Sequence, residues 1–152
     1  MFIVDKAQAS INQALPVPKV ISFDIDNTLS RNGIIAAHNK ATLEALAQTN
    51  IKLVISTGRS KAILQADILA LLEAEVLDAI ICMNGQYSFD NQGLISHYPL
   101  SAEQADKIVQ LCKTSELIHK FDSATHIAWS GENERLCDFN AKTPNSIVDP
   151  LY

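Results

Sequence analysis

Apolar and polar positions along this chain fall into blocks of two lengths. Residues 19–23 (KVISF), 51–55 (IKLVI) and 79–83 (AIICM) are short, β-branched apolar runs that stop at polar residues, as buried strands do. Longer segments with helical spacing separate them. Residues 37–49 carry Leu43, Leu46 and Ala47 on one helical face, and Asn50 is a natural stop. From Ser60 onward Leu64, Ile68, Leu71 and Leu72 share a face, which predicts a second helix. Strand, helix, strand, helix, strand with short connections predicts an α/β fold built on a parallel sheet with right-handed crossovers.

After Gly85 the rhythm changes. Residues 87–89 and 94–96 flank a turn at Asp90, Asn91, Gln92 and Gly93, the pattern of a β-hairpin. Ser101 and Gln104 form a capping box that opens a helix with Ala105, Ile108, Val109 and Cys112 on one face. Residues 117–121 and 125–129 alternate partially and predict further strands. This second segment reads as α+β, so a domain boundary is expected near residue 85. Residues 1–18, which end in Pro16, Val17 and Pro18, form an extended lead.

Composition narrows the class. The 152 residues are 47% hydrophobic and 19% charged, with only five Gly and five Pro, which excludes disorder and fibrous repeats. Twelve basic against seventeen acidic residues argue against a nucleic-acid partner. No apolar stretch reaches the roughly 18 residues of a membrane span, and no signal-peptide pattern opens the chain, so neither a membrane nor export is expected. Cys82, Cys112 and Cys137 are odd in number and lack metal-ligand spacing, which suits free thiols in a cytoplasmic protein.

The chemistry gathers at three strand ends. In parallel sheets ligands bind beyond the carboxyl ends of the strands. Those positions hold Asp24, Ile25, Asp26, Asn27 and Thr28, then Ser56, Thr57, Gly58 and Arg59, then Asn84 and Gly85. Asp24 and Asp26 are two apart, so an extended backbone puts both carboxylates on one face. A hard cation such as Mg²⁺ would relieve their repulsion, and it takes one or two carboxylates plus water and phosphate oxygens. One carboxylate could then attack phosphorus while the other serves the leaving oxygen. Thr57 offers a hydroxyl, Gly58 a closely approachable amide at the start of the next helix, and Arg59 a fork of donors for a phosphate or an acidic group. Each cluster alone has a plainer reading: an Asx-rich turn, a helix cap, a loop turn. Their joint placement at one sheet edge favours a site.

In these residues the chain resembles the haloacid dehalogenase-like (HAD) hydrolases. The motifs are Phe23 to Leu29 (FDIDNTL), Val54 to Arg59 (VISTGR) and Met83 to Gly85 (MNG). Among the family they are most similar to the Cof-type phosphatases, and the likeness runs from residue 19 to about residue 115. The resemblance implies a Rossmann-like core in residues 19–85 and part of an α+β cap in residues 86–152. It implies Asp24 as nucleophile forming an aspartyl-phosphate and Asp26 as general acid/base. It also implies Mg²⁺ held by the Asp24 carboxylate and the Asp26 carbonyl, and phosphate contacts from Thr57, Gly58, Arg59 and Asn84. The expected partner is a small phosphorylated metabolite.

The chain departs from that pattern in two ways. Asn27 stands where many members have Gly, and both residues accept unusual backbone angles. The family's later lysine and acidic G-D-x-x-x-D cluster have no counterpart, since Lys107, Lys113, Lys120 and Lys142 all fall in the cap-like segment and Asp149-Pro150 does not fit. The expectation is an incomplete constellation with little turnover, and a bare sheet edge covered by a further C-terminal portion or by a second copy. The alternative is a non-catalytic, self-associating remnant. A phosphorylated receiver-like module fits less well, because its acceptor Asp lies at the third strand end, where Met83, Asn84 and Gly85 stand.

Overall fold

The computed structural model describes residues 16–133 and 145–148. Residues 1–15, Cys137, Lys142 and Asp149-Pro150, singled out above, lie outside the described residues. The core strands form where the apolar runs predict them, as β1 (Val20–Phe23), β4 (Lys52–Ser56) and β5 (Ala79–Cys82). β4 lies between the other two and pairs parallel with both. α1 (Ala37–Ala47) and α2 (Ala66–Glu73) are the crossovers. Because strand order advances in one direction, right-handed crossovers set both helices on the same face. The side chains follow. Leu53, Ile55, Ile80 and Cys82 point inward to meet Leu43, Ile68, Leu71 and Leu72 in one apolar cluster. Residues of the opposite face, such as Ser22 and Ser56, are exposed.

Three local structures differ from expectation. The helix expected from Ser60 opens only at Ala66, after a single 3-10 turn at Lys61–Ile63. Ser60 and Leu64 are extended, with ψ of 157° and 143°, and the burial of Ala62 and Leu64 draws the segment into the core before the helix starts. Strand β5 stops at Cys82, because Met83, Asn84 and Gly85 take three successive left-handed conformations, with φ of 50°, 54° and 97°. The small hairpin of β2 (Ser30–Arg31) and β3 (Ile34–Ile35) was not anticipated.

The larger hairpin, β6 (Tyr87–Asp90) and β7 (Gly93–His97), forms where predicted, closed by Asp90 Oδ1 accepting the Gln92 and Gly93 amides at 2.7 and 3.0 Å. It does not belong with the α+β segment as the boundary at residue 85 implies. The left-handed turn reverses the chain, so β6 pairs antiparallel with β5 and the core sheet becomes β1-β4-β5-β6-β7. Beyond it, α3 (Ala102–Thr114) is followed by a second sheet of β8 (Lys120–Asp122), β9 (Ile127–Trp129) and β10 (Ser146–Val148). Among the described residues no strand pairs with the outer side of β1, and Val20 is 54% exposed there. Nor is any helix among them long and apolar enough to cross a membrane.

Candidate active site

β1 delivers Asp24 and Asp26 to the sheet's carboxyl edge. Ile25 between them is fully buried and both aspartates are exposed. The Ile25 carbonyl accepts the amides of Thr28, Leu29 and Ser30 at 3.3, 3.1 and 2.8 Å. Asn27, with φ of 61°, adopts the backbone that Gly would otherwise supply. The acidic turn is thus pinned from beneath.

The second and third strand ends are stitched together. The Thr57 amide donates to the Ile81 carbonyl at 2.9 Å, and the Thr57 carbonyl accepts the Asn84 amide at 3.2 Å. The Met83 amide donates to the Arg59 carbonyl at 3.0 Å. Gly58 lies against Asn84, whose Oδ1 would be 3.3 Å from any Cβ at that position. Its amide is at a strand-to-loop turn, because α2 opens eight residues later; it is therefore not at a helix N-terminus. Neighbouring Cys82 is fully buried, and burial pushes its thiol up to about 11 against the opposing Lys61 charge.

Arg59 ties the first strand end to the other two. Its Nε and Nη2 donate to Oδ2 and Oδ1 of Asp26, each at 2.8 Å, and Nη1 donates to the Ile63 carbonyl at 3.3 Å. Of the two groups open to its fork, the guanidinium takes an acidic one, and that group is Asp26. These bonds hold the Asp26 carboxyl below its usual range; burial opposes them and the charge of Arg59 adds to them. The guanidinium is in turn kept charged first by those bonds, with the Asp24 charge a lesser contributor.

A cavity of about 920 Å³ opens from this edge. Gly58, Met83 and Asn84 form its core side, and α3 with β8 forms the other. Lys113 and Lys120, placed by sequence in the cap-like segment, line the same cavity as Gly58 and Asn84.

Comparison with known proteins places this arrangement. A family profile described as haloacid dehalogenase-like hydrolase matches residues 21–148. The chain belongs to this family. No curated protein matches it. Among solved structures, a HAD subclass IIB sugar phosphatase is 25% identical with a TM-score of 0.72, over 86% of this chain and 52% of that one. A HAD phosphatase from Bacteroides thetaiotaomicron is 19% identical with a TM-score of 0.71, over 91% of this chain and 53% of the other. A protein from Thermotoga maritima is 19% identical with a TM-score of 0.67, over 89% and 51%. The HAD-like chain thus spans about half the length of these solved relatives.

For Mg²⁺ the test is the donor set. Both carboxylate oxygens of Asp26 are engaged by Arg59, which leaves the Asp24 carboxylate and main-chain oxygens as hard donors. Among the described residues no group of three His, Cys, Asp or Glu is gathered for a metal. That set suits a cation which keeps most of its ligands as water and substrate oxygens, as Mg²⁺ does. Sequence reasoning missed the β2–β3 hairpin beside the site, although Asn32-Gly33 is a strong hairpin-turn signal. It also missed the Arg59–Asp26 pair, since pairing across 33 residues leaves no mark in local spacing.

Proposed function

We propose that this HAD-like chain carries the phosphoryl site of a Mg²⁺-dependent, Cof-type phosphoric monoester hydrolase that acts on a small phosphorylated metabolite. The observation that carries this reading is the hydrogen-bonded convergence of three strand ends, bearing Asp24 and Asp26, Thr57 to Arg59, and Asn84. The sheet β1 to β7 with α1 and α2 serves as core and α3 with β8 to β10 as cap, with the cavity between them as the substrate chamber. The free thiols Cys82 and Cys112 support a cytoplasmic setting.

In this mechanism Asp24 attacks phosphorus. The bond from its carboxylate oxygen to phosphorus forms as the ester bond breaks, and the leaving oxygen takes a proton from Asp26. Water then attacks the aspartyl-phosphate, gives a proton to Asp26, and releases phosphate. The Asp24 carboxylate and main-chain oxygens would hold Mg²⁺, which when bound would supply charge neutralisation at the phosphoryl group. Thr57 Oγ accepts the Arg59 amide at 3.2 Å, so its own hydrogen is free for a phosphoryl oxygen, beside the Gly58 amide. The Arg59 hydrogen bonds lower the Asp26 carboxyl, so release of that fork would favour Asp26 as the proton carrier.

Binding tests this reading. Mg²⁺ with beryllium fluoride, a phosphoryl mimic, should raise the melting temperature of the wild type and not of Asp24→Asn. Equal response, or none in either, would defeat the reading.

A further inference from the structure

We infer that Asn145 is a positioning residue for Arg59, tying the β9–β10 unit to the loop that sets the Arg59–Asp26 fork. The inference rests on the proposed function only in giving Asp26 the role of acid; the contacts themselves involve no substrate. Asn145 Nδ2 donates to the Ala62 carbonyl at 2.9 Å, across 83 positions of sequence. The next carbonyl in the chain, that of Ile63, accepts Arg59 Nη1 at 3.3 Å. Two adjacent carbonyls of the 3-10 turn at Lys61–Ile63 thus hold the start of β10 on one side and the guanidinium on the other.

Both ends of this link are anchored. The Asn145 carbonyl accepts the Ile127 amide at 2.9 Å, and Ile127 is fully buried. Its φ of 60° is a left-handed backbone that Asn adopts more readily than most residues, so one side chain suits both the turn and the donor role. On the core side Ala62 and Leu64 are buried, and Lys61 Nζ lies 4.4 Å from the Phe89 ring centroid. Between these anchors the turn has little stiffness of its own. It is three residues long, and its amides of Ile63 and Leu64 reach the Ser60 and Lys61 carbonyls at 3.2 and 3.3 Å. The Ala62–Ile63 peptide is planar, so holding its carbonyl also fixes the Ile63 amide and narrows where the Ile63 carbonyl can point. Without the Asn145 donor, Arg59 keeps its two bonds to Asp26 but loses a fixed seat for Nη1.

The test follows solvent exchange of the Arg59 Nε–H by NMR in the 152-residue chain. It uses neither Mg²⁺ nor a phosphoryl ligand, so its failure is separate from failure of the beryllium fluoride assay. In the wild type this proton is donated to Asp26 Oδ2 and should exchange slowly. Asn145→Gly keeps the left-handed backbone and removes the donor, whereas Asn145→Asp keeps the shape and puts a carboxylate oxygen in the donor's place. Each should speed Nε–H exchange about fivefold, the factor one net hydrogen bond is worth, while the amides of β4 exchange as in the wild type. Ser101→Ala, which loosens α3 without touching the turn, should leave the Nε–H unchanged. Unaltered exchange in either Asn145 variant overturns the inference. Equal acceleration in Ser101→Ala, or in the β4 amides, overturns it too, because general loosening then accounts for the effect.

Discussion

At the scale of single residues, the candidate site is built from strained backbone as much as from side chains. Met83, Asn84 and Gly85 all have positive φ, a conformation that costs an ordinary L-residue about 1–2 kcal/mol. Of the three, Asn84 is exposed, borders Gly58 and lines the cavity. Its backbone and side-chain roles separate by substitution. Asn84→Gly should leave stability within about 0.5 kcal/mol of wild type, whereas Asn84→Ala should lose about 1 kcal/mol by denaturant titration. Both should weaken the Mg²⁺-dependent thermal response to beryllium fluoride equally, because both remove the amide. A response retained by either variant would restrict Asn84 to shaping the turn. Two features of this kind were legible beforehand. Asn27 was legible because Asn tolerates left-handed angles, and the exposure of the acidic pair because charged residues stay in water. The Arg59–Asp26 pair was not, because it depends on how neighbouring strand ends sit in space.

At the scale of elements, sequence reading succeeded where one local force dominates. The runs that became β1, β4 and β5 are apolar at every position that faces α1 and α2, and no competing period is present. The start of α3 was equally plain. Ser101 Oγ accepts the Gln104 amide at 3.2 Å while Gln104 Oε1 accepts the Ser101 amide at 2.8 Å, the reciprocal box that the Ser-x-x-Gln spacing predicts. No residue of α3 is fully buried, so the helix leans on this cap more than a core helix would. Ser101→Ala should therefore cost about 1 kcal/mol, read as amide exchange that quickens across the first turn of α3 but not in β4. Uniform acceleration throughout the chain would mean the cap matters to global folding instead. Reading failed at α2, where the periodicity of Leu64, Ile68, Leu71 and Leu72 was real but Leu64 reaches the core from an extended segment. It failed too at the hairpin boundary, since sheet membership is fixed by pairing partners and not by local pattern.

At the scale of the whole molecule, two ion pairs cross the parallel sheet at opposite ends, and together they set how the fold responds to acid. Arg59–Asp26 links the carboxyl end of β4 to that of β1. At the other end Asp78 binds the Lys52 ammonium at 2.6 Å and the Leu53 amide at 2.8 Å, joining the start of β5 to β4. Burial raises the Asp78 carboxyl, but the Lys52 and Leu53 hydrogen bonds outweigh it, so Asp78, like Asp26, titrates below its usual range. The sign follows from linkage. A carboxyl whose folded pKa is depressed stabilises the fold fully above its unfolded value of about 3.9, and that contribution disappears as pH falls through the lower folded value. Melting temperature should therefore be flat with respect to these two groups above about pH 5 and fall below about pH 4. Both carboxylates are well exposed, with side chains 50% and 35% accessible, so solvent and salt screen each pair. The acid limb should accordingly shrink in high salt. Asp26→Asn with Asp78→Asn should flatten it further, leaving a smaller slope from the remaining carboxylates. An acid limb of undiminished steepness in the double variant would place the acid sensitivity of this sheet elsewhere.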